Sequence, residues 1–302
     1  MSRSLRCEFI DAEKTTYGVR RLCRVLAVSK TAYYDWVARD GGPTSHEVDE
    51  AYAIHELRQA WAEHRGVYGA RRLTAEATDR GHEWARKRVA RLMSVGGFEG
   101  VHRRRKGKKG KRGTGPAPAP DRVKRQFTVA EPNRLWVADI TYLRTWEGFL
   151  YLAVVVDACS RKVVGWAMAD HLGRELVLDA VGMAIFRRKP ERDQLVHHSD
   201  RGSQYTSYDF GKALRASGVL ASMGAVGTAY DNAMCESFFA TLKEELIYRR
   251  SWETRHELEM EVFSYIEGFY NPVRRHSRLD NLSPIAYEEN LTTRTTQIEA
   301  SA

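Results

Sequence analysis

The residues Leu135-Trp136-Val137-Ala138-Asp139-Ile140-Thr141-Tyr142 alternate β-branched and aromatic side chains around a single carboxylate. That alternation reads as a strand with Asp139 in its interior, where an unpaired acid is rare. Two later segments, His198-Ser199-Asp200-Arg201-Gly202-Ser203-Gln204-Tyr205 and Asp231-Asn232-Ala233-Met234-Cys235-Glu236-Ser237, each present a further acid at the edge of an element. Asp200 closes the short apolar run 195–198 just before Arg201-Gly202-Ser203, which puts it at the carboxyl end of a second strand, where α/β sheets bind ligands. Glu236 lies one turn into a helix that Asp231 or Asn232 can cap. A capping-box role for Glu236 would need a capping side chain at position 233, which is alanine.

Singly, each of these acids is more often a turn, cap or solvated residue. As a set they read as one metal site, with thirty-five residues between Asp200 and Glu236. Carboxylate oxygens suit magnesium, with manganese as a substitute. Two such cations roughly 3.5–4 Å apart suit in-line phosphoryl displacement.

The motifs WVADITYL, VVVDACSRKVVGW, HHSDRGSQYTS, YDNAMCESFFATLK and FYNPVRRHSRLDNLSPIAYEE resemble the catalytic core of DDE transposases of bacterial insertion sequences. The group is the orfB-type product of the family IS-three elements, related to retroviral integrases. The resemblance extends upstream through YGVRRLCRVLAVSKTAYYDW and HRGVYGARRLTAEATDRGHEWARKRVARLM, and covers roughly Tyr17 to Glu288. It implies an RNase H-like α/β fold in which the strand of Asp139 neighbours the strand ending at Asp200. It implies that Asp139, Asp200 and Glu236 are the catalytic triad. It implies cleavage at element ends and transfer of the 3′-OH into target DNA. It also implies a partner segment from an upstream reading frame, and a homo-oligomer working on terminal inverted repeats and target DNA. The zinc-binding His/Cys domain of retroviral integrases has no counterpart here.

Lys243 stands seven residues after Glu236, two helical turns on the same face and roughly 10 Å along the axis. The positions three and four away are Phe239, Ala240, Leu246 and Ile247, so no acid is placed to pair with it on the helix. The resemblance implies that such a basic residue contacts the element's terminal nucleotides.

Composition agrees with a polyanionic partner: 48 Lys plus Arg against 39 Asp plus Glu give a net charge of +9. No apolar run approaches the roughly 20 residues that span a bilayer, and the first residues lack the apolar core of a signal peptide, so the expectation is a cytoplasmic protein. The four cysteines, Cys7, Cys23, Cys159 and Cys235, show no CxxC spacing. No GxxxxGK loop indicates ATP use.

Residues 1–45 are expected to hold a helix-turn-helix, with helices over 18–26 and 30–36 and Ser29 as the cap of the second. A second such module, 46–101, has helices over 48–64, 70–80 and 84–94 with a turn at Gly81-His82-Glu83. In its last helix Val89, Leu92 and Met93 form an apolar face, while Arg86, Lys87, Arg88 and Arg91 supply charge for DNA. Residues 102–126 read as a basic, Pro/Gly-rich linker whose Arg103, Arg104, Arg105, Lys106, Lys108 and Lys109 offer phosphate contacts without sequence choice.

The catalytic core is expected over 127–250. Strands at 136–143, 149–157 and 162–168 form an antiparallel meander, followed by helix 174–187, the strand ending at Asp200, helix 208–217 and strand 219–223. The Gly-rich segment 224–230 is expected to be mobile. Residues 251–290 hold a helix started by a Thr254/Glu257 capping box, with Leu258, Val262, Tyr265, Ile266 and Phe269 on one face, then a basic loop whose Arg274 and Arg275 are DNA candidates. A disordered tail is expected over 291–302. Asp157 reads as a turn residue, and His197 and His198 as packing or DNA contacts on opposite faces of their strand. A non-catalytic DNA-binding regulator and an RNase H-like nuclease without joining activity stand as the alternatives.

Overall fold

The computed structural model describes residues 2–102, 119–123, 126–200, 204–205, 207–224 and 233–301. The expected mobility of 224–230 and the linker cations Arg103, Arg104, Arg105, Lys106, Lys108 and Lys109 concern residues that, Gly224 apart, lie outside that set. The same holds for the capping role of Asp231 or Asn232.

Three helices come first: α1 (Arg3–Tyr17), α2 (Val19–Val25) and α3 (Lys30–Ala38). Ser29 caps α3 through its hydroxyl, which accepts from the Ala32 N–H at 3.1 Å. Helix α1 is absent from the sequence expectation because its face is sparse. Only Cys7 and Ile10 are buried on it, against Leu22, Cys23 and Tyr33. Helices α4 (Ser45–Glu63), α5 (Ala70–Asp79) and α6 (Arg86–Gly96) follow, α4 opening on a full capping box between Thr44 and Glu47.

The sheet has five strands: β1 (Leu135–Thr145), β2 (Gly148–Asp157), β3 (Val163–Ala169), β4 (Val196–Ser199) and β5 (Leu220–Met223). Their order is β3-β2-β1-β4-β5, with the first three antiparallel and β1, β4 and β5 parallel. Helix α7 (Arg174–Arg188) makes the crossover to β4, and α8 (Tyr208–Ala216) the crossover to β5. Helices α9 (Ala233–Glu245), α10 (Arg255–Tyr265) and α11 (Pro284–Ser301) complete the chain.

The alternation along β1 sorts its two faces. Leu135, Val137 and Leu143 pack with α9 and α10, whereas Trp136 and Ala138 pack with α7 and α8. Asp157 closes the β2–β3 turn, fully buried, its carboxylate accepting the N–H groups of Asn133, Cys159 and Ser160 at 2.7, 2.9 and 3.2 Å. Burial pushes that carboxyl up despite the three donors.

The C-terminal region departs from expectation in three places. Thr254 caps α10, but Glu257 accepts from the Glu253 N–H, one residue before the cap, so the box is half formed. Beyond Tyr265 the chain widens into a π turn, Ile266–Tyr270, before the Asn271 side chain pairs with both backbone groups of Val163 at 2.9 Å. And α11 runs through the expected disordered tail to Ser301. Its Glu288 accepts from Ser160, Lys162 and Arg188, which anchors the helix on the β2–β3 turn. The hydroxyls of Thr292, Thr293 and Thr296 turn back to carbonyls four residues earlier, so this Thr-rich stretch satisfies its polar groups inside the helix.

The second helical module is not separate from the sheet domain. Leu57, Tyr68, Leu73, Val89 and Leu92 belong to the same buried cluster as Leu258, Val262 and Phe269. No helix of the described residues is long and apolar enough to cross a membrane.

Candidate active site

Asp139 occupies the middle of β1 on the face that meets α9 and is only 7% exposed. Its carboxylate accepts the N–H of Ile140 at 2.9 Å. The parallel pairing of β1 with β4 ends at Ala138 opposite Ser199, so the next residues are Asp139, still within β1, and Asp200, just past the end of β4. Neighbouring strands lie about 4.8 Å apart. The two acids line one cavity of about 160 Å3 with Tyr151, Leu172, Gln204 and Tyr205.

Glu236 sits in the first turn of α9. The preceding Cys235 donates its thiol hydrogen to the carbonyl of Val137 at 3.3 Å, which fixes this turn of α9 to β1 two residues before Asp139. Burial pushes the Cys235 thiol well up, and the charges of Asp139, Asp200 and Glu236 add to that, so one buried sulfur feels all three carboxylates. The Tyr205 hydroxyl is likewise held far above its ordinary range by burial, then by Asp139 and Asp200. Among the described residues no three His, Cys, Asp or Glu side chains close around a single point. Asp139 and Asp200 share a cavity that Glu236 does not line. Three carboxylates offer only oxygen donors, the ligand type that hard cations such as magnesium take.

Lys243 projects toward the same part of β1. Its Nζ donates to the Thr141 hydroxyl at 2.8 Å and lies 5.3 Å from the centre of the Tyr142 ring. Burial lowers its pKa, with the charge of Asp139 acting in the opposite sense. Thr141 and Tyr142 are contacts that the strand pattern did not single out, although both stand within three residues of Asp139.

The other DNA candidates divide. Arg86, Lys87, Arg88 and Arg91 are exposed on α6, but Arg91 pairs with Glu50 and Arg88 lies over the Trp84 ring at 5.6 Å. Arg274 is corrected: it is 4% exposed, and its guanidinium makes two hydrogen bonds to Glu245, at 2.7 and 2.6 Å. Arg72 and Tyr265 bind the same carboxylate. Arg275 is corrected in the same way, since its guanidinium pairs with Glu76 and Asp79 of α5. Loop position alone suggested cations open to DNA; the acids that claim them lie far away in sequence.

His197 and His198 are both buried, on opposite faces as the strand period requires. His197 packs on Phe210 and Tyr205, and burial lowers its pKa to about 4. His198 meets the edge of Phe127 and bonds Ser222 at 3.0 Å. Packing, not DNA contact, accounts for both. A larger cavity, about 620 Å3, lies between α5 and α9, lined by Arg72, Arg161, Arg274 and Arg278 among others but by none of the three acids.

Comparison with known proteins accords with this architecture. The model of an integrase core domain matches residues 129–229, a second integrase core domain model matches 236–291, and an HTH-like domain matches 47–106. The transposase InsF for insertion sequence IS3A of Escherichia coli K12 is 37% identical over 280 residues, covering 93% of this chain and 97% of its own. The transposase for insertion sequence element IS629 of Shigella sonnei is 36% identical over 285 residues, covering 93% and 94%. Among solved structures, the HTLV-2 integrase catalytic core domain in complex with magnesium is similar with a TM-score of 0.41 and 15% identity, covering 52% of this chain and 97% of that one. With more than a third of residues identical along nearly the full length of both chains, and integrase-core matches on both halves of the site, this chain belongs to the IS3-type insertion-sequence transposases that carry an integrase core.

Proposed function

We propose that the chain cleaves DNA at the ends of its element and joins the freed 3′-OH to target DNA, with Asp139, Asp200 and Glu236 as the catalytic triad. The observation that carries this reading is the placement of Asp139 on β1 and of Asp200 immediately after the parallel β4, each one residue past the last pair of the two strands, with Glu236 on a helix bonded to β1. Magnesium or manganese held by the three carboxylates would activate the attacking oxygen and stabilise the leaving one. Each step exchanges one P–O bond for another, so no nucleoside triphosphate is consumed. Tyr205 and Leu172 line the cavity of Asp139 and Asp200, and Lys243 offers a positive charge beside Asp139 for the phosphate of the reacting strand. The exposed cations of α6 supply affinity for duplex DNA. A second copy of the chain on DNA, and a segment from an upstream reading frame, complete the working assembly.

The test is substitution of each acid by its amide. Asp139→Asn, Asp200→Asn and Glu236→Gln are each expected to lower cleavage and joining by roughly a thousandfold or more, because several kcal/mol of charge stabilisation leave with the carboxylate. Binding to duplex DNA should persist. Full joining by one variant removes that residue from the triad, and cleavage by the native chain without any joining favours the nuclease reading.

A further inference from the structure

The cavity of about 620 Å3 between α5 and α9 takes no part in the chemistry assigned to the three acids, yet its walls gather charge. Arg72 of α5, Arg161 of the β2–β3 turn, and Arg274 and Arg278 of the C-terminal loop line it, against Glu244 and Glu245 of α9. Glu245 is already taken, since its carboxylate binds Arg274 twice and Arg72 once. His276, also in the lining, adds no charge, because burial and then the charges of Arg274, Arg72 and Arg161 push its pKa down to about 2. Among the described residues no carboxylate pairs with Arg161 or Arg278.

Both of these cations are held in place. Arg161 has φ 62°, in the left-handed region that costs a non-glycine residue, and its N–H is fixed to the Asp157 carbonyl at 2.9 Å. Its partly buried guanidinium is disfavoured first by burial and then by the charge of Arg278. Arg278 stands in the 3-10 turn Ser277–Leu279, which is pinned by buried Leu279 and by the His276 N–H donating to the Leu282 carbonyl at 3.0 Å. Two arginines brought together on fixed turns, with no acid between them, cost free energy unless an anion joins them. A phosphate group suits the place better than a planar carboxylate, because its three or more acceptor oxygens can meet guanidinium forks arriving from separate elements.

We propose that this cavity binds a phosphate group between Arg161 and Arg278, supplied by a polynucleotide backbone or by a free phosphate compound. The site is distinct from the carboxylate centre. At 100° per residue, Ser237, Thr241 and Glu244, which line it, are turned roughly 80–140° around α9 from Glu236 and Lys243. Binding replaces the repulsion between the β2–β3 turn and the C-terminal loop with a shared partner, and so stiffens the contact between them.

The experiment titrates the full chain with inorganic pyrophosphate in metal-free buffer, with sodium acetate at equal ionic strength as the reference, and reads calorimetric binding and melting temperature. Pyrophosphate is expected to bind and to raise the melting temperature by at least about 2 °C, and acetate to do neither. Arg278→Gln, at an exposed position, should weaken pyrophosphate by roughly tenfold or more and melt like the native chain in plain buffer. Arg161→Gly relieves the positive φ as it removes the guanidinium, so it should keep the fold and lose the pyrophosphate shift. Arg86→Gln on α6 should bind pyrophosphate as the native chain does. Displacement of pyrophosphate by duplex DNA assigns the phosphate to a polynucleotide backbone, and simultaneous binding of both assigns it to a free compound. An equal rise with acetate, absence of pyrophosphate binding, or a shift that survives in both Arg161→Gly and Arg278→Gln overturns the proposal. None of these results touches the triad reading, which the amide variants test.

Discussion

At the scale of single residues, the chain keeps its buried charges in pairs. Glu245 is buried, yet Arg274, Arg72 and the Tyr265 hydroxyl hold its carboxyl below the usual range against the desolvation that pushes it up. Removing one partner of such a pair leaves an uncompensated charge inside the protein, at a cost of about 3–5 kcal/mol. Arg274→Ala is therefore expected to lower unfolding free energy by that amount in chemical denaturation. The slope of log DNA affinity against log salt should not change, because Arg274 faces Glu245 and not phosphate. A lowered slope with unaltered stability would restore Arg274 to the DNA interface. Acid has a second effect at this scale. His197 is buried neutral with its pKa depressed to about 4, whereas the unfolded side chain titrates near 6.5. The unfolded chain then binds the extra proton between those values, so stability falls as pH drops from about 6.5 toward 4, by on the order of 3 kcal/mol from this residue. Thermal unfolding across that window should show the fall, and His197→Phe should flatten it.

At the scale of elements, we propose α6 as the helix that meets duplex DNA. Val89, Leu92 and Met93 anchor it on α4 and α5, leaving Arg86, Lys87 and Arg88 outward and Arg91 tied to Glu50. Changing Arg86, Lys87 and Arg88 together to Gln is expected to flatten the salt dependence by about 0.9 for each phosphate no longer neutralised. Arg91→Gln should act mainly by breaking the Glu50 pair, an exposed interaction worth little, and shift binding far less. Filter-binding or fluorescence titrations at several salt concentrations separate the two. The sheet shows what a local pattern can disclose at this scale. Alternation in 135–142 places Asp139 on a strand, and Ser29 and Thr254 mark two helix starts, because these signals are local. Helix α11 is not legible in the sequence, since Thr-rich composition argues against helix past Leu291 and the anchor at Glu288 is formed by Ser160, Lys162 and Arg188, about a hundred residues or more away.

At the scale of the whole molecule, the second helical module is bolted to the integrase core. Tyr68 accepts the N–H of Arg275 at 2.8 Å and donates to the Val273 carbonyl at 3.3 Å, while Glu76 takes two bonds from the Arg275 guanidinium. Apolar residues of both parts share one cluster beneath these contacts. The two parts should thus unfold together in a single thermal transition. Arg275→Ala combined with Tyr68→Phe is expected to split that transition or to raise amide exchange in α5 before the sheet opens. Persistence of one unchanged transition in the double variant would mean that apolar contact alone couples the parts. Everything written in short-range pattern could be read from the residues themselves: the strand that carries Asp139, the carboxyl-end position of Asp200, the helix that carries Glu236 and the resemblance that joins them. Which cations remain open emerges only on folding, because an arginine's partner is set by packing and not by its neighbours in the chain. Arg274 and Arg275 read as DNA contacts until Glu245 and Glu76 come within reach, whereas Lys243 faces a hydroxyl and a ring because folding brings α9 against β1 at Thr141 and Tyr142.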